Sequence, residues 1–180
     1  MKTVALLLLL FSASTAEGRI VRSSMGGDID VGSVPDGASL RTMGGDIRLG
    51  SARGHVVAKT MGGNIQVRRL DGSLEAGTMG GNVEIEVVRG GDIEIHSMGG
   101  HIEVTLPANF SGDFDVELEQ DDDGREHEIV SDFPLKIRES KKNNWFRPDT
   151  LVLSATGKSG SGANRVKITT IGGDIRIRKR

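Results

Sequence analysis

The sequence predicts an all-β, single-stranded parallel β-solenoid (β-helix) with coils of about 18 residues that contain two short strands each. The triplet Met-Gly-Gly recurs five times at nearly constant intervals, at Met25, Met43, Met61, Met79 and Met98. Aliphatic residues recur at half that interval, and glycine supplies 26 of the 180 residues. Strands and turns of constant length are typical of stacked repeats. We expect a right-handed coil, the default for parallel crossovers.

Alternation within each nine-residue unit indicates which side chains face inward. The first inward column contains Ile29, Ala38, Ile47, Val56, Ile65, Leu74, Val83, Ile93 and Ile102. The second column contains Val31, Leu40, Leu49, Ala58, Val67, Ala76, Ile85, Ile95 and Val104. The third column contains Ser33, Thr42, Ser51, Thr60, Arg69, Thr78, Val87, Ser97 and Leu106. The columns predict a thin core between two layers of parallel strands.

The chain divides into a leader and one repeat domain. Residues 1–16 are predicted to be a signal peptide, with Lys2 before an apolar stretch and small residues at the cleavage site. Residues 17–180 are predicted to form one continuous array, with regular coils over 25–106, decorated coils over 107–165 and a closing repeat over 166–180. No second apolar stretch follows, so we expect a mature chain without a transmembrane segment. It would be exported to the periplasm, the cell surface or the extracellular space.

The composition excludes several kinds of site. The chain has no cysteine, which excludes disulfides, cysteine-ligated metals, thiol nucleophiles and a lipid-modified cysteine. The four histidines follow no metal-ligand spacing and form no set of nucleophile, base and acid. We therefore predict no catalytic, cofactor-binding or metal site, and no enzymatic activity.

Two columns at the glycine turns are candidate ion sites. The residue after each glycine pair is Asp28, Asp46, Asn64, Asn82, His101 or Asp174. Nonapeptide calcium repeats need a further glycine and an inward Asp, and Ile or Val stands there instead, so we expect these side chains to cap backbone amides. The methionines before the glycines offer thioethers, which bind soft ions such as Cu(I). Filling space beside a glycine turn is the simpler interpretation.

The charges are unevenly distributed along the chain. The net charge is +3 over residues 17–70, −15 over 71–132 and +9 over 133–180. The acidic belt comprises Glu84, Glu86, Glu94, Glu103 and residues 121–123. The basic end comprises Lys136, Arg138, Lys141, Lys142, Arg147, Arg176, Arg178, Lys179 and Arg180. The basic end either neutralises the belt within the molecule or attracts anionic surface polymers or lipid headgroups. Nucleic acid is not expected as a partner of an exported protein.

One segment is a candidate point of contact with a partner. Trp145 and Phe146 are flanked by Lys141, Lys142 and Arg147, and aromatic residues beside arginine are frequent interface anchors. The alternative, which we favour, is that the two rings cap an open end of the array, because exposed ends invite edge-to-edge association.

Several motifs together resemble a known family. They are the repeated Gly-Gly-Asp-Ile and Gly-Gly-Asn-Val turns, the Ser-Asp-Phe-Pro-Leu segment at 131–135 and the closing segment at 166–177. Over residues 20–180 the chain resembles the bacterial adhesin-like domains of unknown function built from Gly-Asp-Ile strand repeats, which are related to the head-GIN adhesins. Met before the glycine pair departs from the Val or Asn expected there. The resemblance implies a β-solenoid on a secreted or envelope protein and brings no catalytic residues.

The function that these features predict is non-catalytic binding or scaffolding at the cell envelope, with an envelope protein or an anionic surface glycan as the partner. Weak contacts to a repetitive partner would add up along a rigid stack. Two alternatives remain open at this point. One is a polysaccharide-acting enzyme of the β-helix type, and the other is a self-assembling structural envelope protein.

Overall fold

The fold is all-β, as predicted. The computed structural model describes residues 19–120, 126–144 and 147–180, and in these residues it contains fourteen strands and no helix. The strands form one mostly parallel sheet that curls until it is nearly closed. The predicted signal peptide, residues 1–16, lies outside the described residues. In the part of the chain that is described, no helix has the length and apolar character needed to cross a membrane.

The strands follow one another with only short connections over most of the chain. In chain order they are β1 (Ile20–Ser24), β2 (Ile29–Val34), β3 (Ala38–Thr42), β4 (Ile47–Lys59), β5 (Ile65–Thr78), β6 (Val83–Arg89), β7 (Ile93–Ser97), β8 (Ile102–Leu106), β9 (Gly112–Glu119), β10 (Ile129–Ser131), β11 (Leu135–Asn144), β12 (Arg147–Ser159), β13 (Asn164–Ile171) and β14 (Ile175–Lys179). Strands β4 and β5 are longer than the sequence predicts, because each continues through a turn without interruption.

Equivalent residues of successive repeats pair with one another. Ile47 pairs with Ile29 of the preceding repeat on one side and with Ile65 of the following repeat on the other, and Ile65 pairs with Val83. This register generates two rows of strands. The first row contains β2, the starts of β4 and β5, then β6, β8, β14 and β10. The second row contains β1, β3, the ends of β4 and β5, then β7, β13, β9, β12 and β11.

The first two predicted columns form the core, and the third is only partly correct. Every aliphatic residue of the first two columns is buried. In the second row the third column is also buried, as Thr42, Thr60, Thr78 and Ser97. In the first row Val87 and Leu106 of this column are buried as predicted, but in β2, β4 and β5 the inward places belong to Val34, Ala52 and Leu70. The predicted Ser33, Ser51 and Arg69 lie on the outer surface instead, because two successive residues face outward just before the chain bends, as in a β-bulge.

The array does not stack in chain order, because the closing repeat lies inside it. Strand β13 pairs in parallel with both β7 and β9, and β14 pairs with both β8 and β10. The last repeat therefore lies between β7 and β8, the strands that end by residue 106, and β9 and β10, the strands that begin at residue 112 or later. Ser111, just before β9, contacts the turn formed by residues 160–163. Its Oγ accepts hydrogen bonds from the backbone N–H groups of Ser161 at 2.9 Å and Gly162 at 3.1 Å.

Aromatic rings close the core beside the last repeats. Phe114 lies 6.1 Å from Phe110 and 5.0 Å from Phe133, measured between ring centroids, and all three rings are buried. The amine of Lys179 lies 4.8 Å from the centre of the Phe133 ring. Beyond these rings the antiparallel hairpin of β11 and β12 extends the second row.

Candidate functional site

The turns that begin with Met-Gly-Gly are joined by a ladder of side chains. The Oδ1 atom of Asp28 accepts a hydrogen bond from the backbone N–H of Asp46 at 2.9 Å. The Oδ1 atom of Asp46 accepts one from the backbone N–H of Asn64 at 2.8 Å. The pattern continues through Asn64, Asn82 and His101 as acceptors. The predicted amide-capping role of this column is therefore confirmed. Within the residues that the structure describes, no group of three His, Asp or Glu side chains is arranged to hold a metal ion.

Arg48 forms ion pairs with the acidic start of this ladder. Its guanidinium lies 3.0 Å from Oδ2 of Asp28 and 3.7 Å from Asp30, and it also pairs with Asp46. The hydrogen bond from the Asp46 N–H, and then the Arg48 guanidinium, lower the pKa of Asp28. These charges are engaged with one another, so we assign this ladder a structural role.

A groove lies at the opposite turns, on the outer side of the first row. Its volume is about 370 Å³, and it is open to solvent along its length. Its lining residues are Ser33, Val34, Pro35, Ser51, Ala52, Arg53, Arg69, Asp71, Val88 and Arg89. The lining includes three arginines and one aspartate, and we call it the arginine groove. The hydroxyls of Ser33 and Ser51 lie 3.0 Å apart at one end.

The arrangement of charges in the arginine groove follows from the strand register. Asp71 on β5 pairs with Arg53 on β4 and with Arg89 on β6, so the three residues occupy adjacent strands. The two Nε atoms lie 3.6 and 3.7 Å from the Asp71 carboxylate. The arginine side chains are nevertheless 73% and 74% exposed, whereas Asp71 is 28% exposed. One half-buried carboxylate thus lies between two exposed guanidiniums, beyond hydrogen-bond distance of both.

Arg69 adds a third positive charge to the arginine groove. It is exposed, and among the described residues no carboxylate lies within ion-pair distance of it. Arg69 was predicted to lie in an inward column, so its place in the groove was not expected from the sequence. A charged residue in a column of core positions was the signal that the alternation shifts by one residue there. The outward shift in β2, β4 and β5 is what opens the groove.

A second groove of about 390 Å³ lies on the other side of the same turns. It contains Glu75 and Glu94 on adjacent strands, but both carboxylates already have cationic partners. Hydrogen bonds from Lys59 to Glu75 and from His96 to Glu94 lower the pKa values of these two glutamates. These two carboxylates are therefore engaged in contacts within the molecule.

Part of the basic end neutralises the acidic belt within the molecule. Because β14 lies next to β8, Arg178 reaches Glu103 at 3.3 Å, and Arg180 forms an ion pair with Glu86. The intramolecular interpretation is confirmed for these two arginines. On β11, Lys136, Arg138 and Lys141 are exposed.

The predicted contact segment is only partly described. Lys141 is exposed near the tip of the hairpin, where it pairs with Leu151. Trp145 and Phe146 lie outside the described residues, as do the side chains of Lys142 and Arg147. Whether the rings of Trp145 and Phe146 cap the array therefore stays a prediction; among the described residues, Phe110, Phe114 and Phe133 close the core.

The five methionines of the glycine turns do not fill space in the core. Their exposed fractions range from 48% for Met79 to 83% for Met25. Each of these residues is about half exposed or more, so the methionines fill only part of the space beside the turns.

Comparison with known proteins adds no relative. The chain matches no family model, no curated protein and no solved structure. Its function therefore has to be inferred from its own geometry.

Proposed function

We propose that this chain is a β-solenoid with two strands in each coil and that it serves as a non-catalytic, adhesin-like binding scaffold at the cell envelope. The register supports the coil, because equivalent residues of successive repeats pair in both rows. Export rests on the predicted signal peptide. The partner that we propose is an anionic surface glycan, which would bind along the arginine groove.

The observation that carries this proposal is the presence of three exposed arginines in one groove, two of them beside Asp71 and the third without a carboxylate partner among the described residues. Guanidinium groups bind carboxylate and sulfate oxygens through two parallel N–H donors, and these charged hydrogen bonds are stronger than neutral ones. Asp71 lies near the Nε atoms of Arg53 and Arg89, and both arginine side chains are exposed enough for a ligand to reach their N–H groups.

The spacing in the arginine groove suits an extended polymer. Neighbouring strands lie about 4.8 Å apart, so Arg53 and Arg89, two strands apart, lie about 10 Å from each other along the array. Arg69 lies on the strand between them. A polymer with regularly spaced acidic groups can contact several of these donors at once, and weak contacts then add up.

A self-assembling role is less well supported. Strand β11 forms the outer edge of the second row and carries exposed Lys136, Arg138 and Lys141. Charged residues on an edge strand oppose pairing with another sheet edge.

The test measures binding of the purified full chain to immobilised polygalacturonate and dextran sulfate, with neutral dextran as the reference surface. The groove variant is Arg53→Gln, Arg69→Gln and Arg89→Gln combined. The matched control, Arg22→Gln, Arg41→Gln and Arg138→Gln, removes the same charge from other exposed positions. We expect the groove variant to bind at least about tenfold more weakly, the loss of one or two charged hydrogen bonds. Equal weakening by both triple variants, or no binding by the wild type, would reject the proposal.

A further inference from the structure

All the methionines after the first residue lie in one column. The chain has six, and Met25, Met43, Met61, Met79 and Met98 each stand directly before a glycine pair. The strands that follow these turns pair in succession within the first row. The five side chains therefore form a continuous exposed line, which we call the methionine row.

The backbone holds the methionine row at a fixed spacing. The glycine two residues after Met61 lies so close to the preceding turn that a Cβ there would be 2.0 Å from the carbonyl oxygen of Gly45. The same contact recurs at Gly81, against Gly63. Neighbouring turns are thus in direct contact, and equivalent methionines are separated by one strand spacing, about 4.8 Å.

Packing does not explain why this position is methionine. The second glycine of the turns at Gly63 and Gly81 is required by contact with the preceding turn, but the methionines are about half exposed or more. The inserted repeat has Ile171 at the equivalent position, 36% exposed, so an aliphatic side chain satisfies the same turn. A purely apolar contact surface would be served equally well by Leu or Ile. The property that distinguishes methionine is its thioether sulfur.

We propose that the methionine row binds a soft monovalent metal ion, with Cu(I) as the chemical type. Thioethers select Cu(I) among the first-row metals. Bonds from sulfur to a metal of this size are about 2.3 Å long, so two sulfurs on opposite sides of one ion are about 4.6 Å apart. That span nearly equals the strand spacing, and adjacent methionines hold one ion between them with little rearrangement. The three central residues, Met43, Met61 and Met79, each have a methionine on both sides.

The test uses Ag(I), which has the charge and softness of Cu(I) without its redox chemistry, and then Cu(I) kept reduced in competition with a chromophoric chelator. The full chain is labelled with ¹³C at the methionine methyl groups, and affinity and methyl shifts are recorded together. The main variant is Met43→Leu, Met61→Leu and Met79→Leu combined, which keeps apolar volume and removes sulfur. Circular dichroism verifies that this variant is folded.

We expect the methyl signals of the row to shift on adding Ag(I), and the triple variant to bind at least about tenfold more weakly, which corresponds to about 1.4 kcal/mol. Ile171→Met extends the row by one donor and should increase the affinity or the number of ions bound. Val130→Met, an exposed position away from the row, should change neither. Equal Ag(I) affinity of the wild type and the triple variant, or binding without any shift of the row methyls, would overturn the proposal. These outcomes are independent of the arginine groove.

Discussion

The hydroxyl of Thr60 donates a 3.0 Å hydrogen bond to the carbonyl oxygen of Gly45, fifteen residues earlier in the chain. The same hydroxyl accepts a 3.2 Å hydrogen bond from the N–H of Gly63 in its own turn. Thr78 forms the equivalent pair of bonds with Gly63 and Gly81. Each buried threonine thus joins two successive glycine turns, and each turn depends on the one before it.

Thr60→Val should destabilise the protein by about 3 kcal/mol, because it leaves a buried carbonyl and a buried N–H without their partner. Thr60→Ser keeps the hydroxyl and loses one methyl group, so it should cost only about 1 kcal/mol. Urea denaturation followed by circular dichroism measures both free energies of unfolding. If Val were tolerated as well as Ser, the hydroxyl would have no role in joining the turns.

The two glycines of one turn should respond in opposite directions to substitution. A Cβ at Gly63 would lie 2.0 Å from the carbonyl oxygen of Gly45, whereas a Cβ at Gly62 has its nearest neighbour at 4.0 Å. Gly63→Ala should therefore destabilise the protein by about 3 kcal/mol through overpacking. Gly62→Ala should stabilise it by about 0.5 kcal/mol, since alanine restricts the unfolded chain.

Thermal and urea unfolding of these two alanine variants, measured side by side, test this difference. A similar loss of stability in both variants would mean that the close approach between successive turns is not what requires glycine.

The sequence was sufficient to predict the regular part of the fold because its periodicity comes from a physical requirement. Aliphatic residues at alternate positions must face the core, and a nine-residue interval repeats that requirement in every strand. The parallel pairing of Ile29, Ile47 and Ile65 follows directly. The amide-capping role of Asp28 and Asp46 was predictable for a similar reason, since a short acceptor beside a glycine turn has few other partners.

The arginine groove could not be predicted in the same way. A bulge shifts the alternation by one residue without changing the repeat length, so the period alone places Arg69 inside. Likewise, the sequence of the closing repeat shows that it is a strand pair but not which gap it fills. That depends on the unpaired edges of β7 and β9, which belong to segments distant along the chain.

Removal of residues 164–180 should abolish the native fold. Without β13 and β14, four strand edges lose their partners, and the core positions of Ile168 and Ile175 are empty. We expect the truncated chain to aggregate in size-exclusion chromatography, and a synthetic peptide of residues 164–180 to restore in part the elution volume of the full chain. Removal of residues 1–26 is the matched control, because β1 pairs with β3 alone. If the C-terminally truncated chain stayed soluble and eluted without aggregates, the inserted position of the last repeat would be contradicted.

The stability of the protein should fall at acidic pH, and Asp28 should account for part of the loss. The Asp46 N–H and the Arg48 guanidinium lower the pKa of Asp28 in the folded state. A group with a lowered folded-state pKa contributes stability at pH values above its ordinary pKa, about 4, and that contribution disappears as the pH falls through the folded-state value. Lys59 and His96 have the same effect on Glu75 and Glu94.

Asp28→Asn removes the negative charge of this side chain and keeps an oxygen that can accept the hydrogen bond. The amide oxygen of asparagine accepts a backbone N–H equally well at this position of the turn, as Asn64 does from Asn82 at 2.8 Å. The variant should therefore lose less stability than the wild type when urea midpoints are compared between pH 6 and about pH 3. Asp36→Asn serves as the control, because among the described residues no hydrogen-bond donor contacts that exposed carboxylate. An identical pH dependence in the wild type and in Asp28→Asn would show that the acidic start of the ladder contributes no ionic stability.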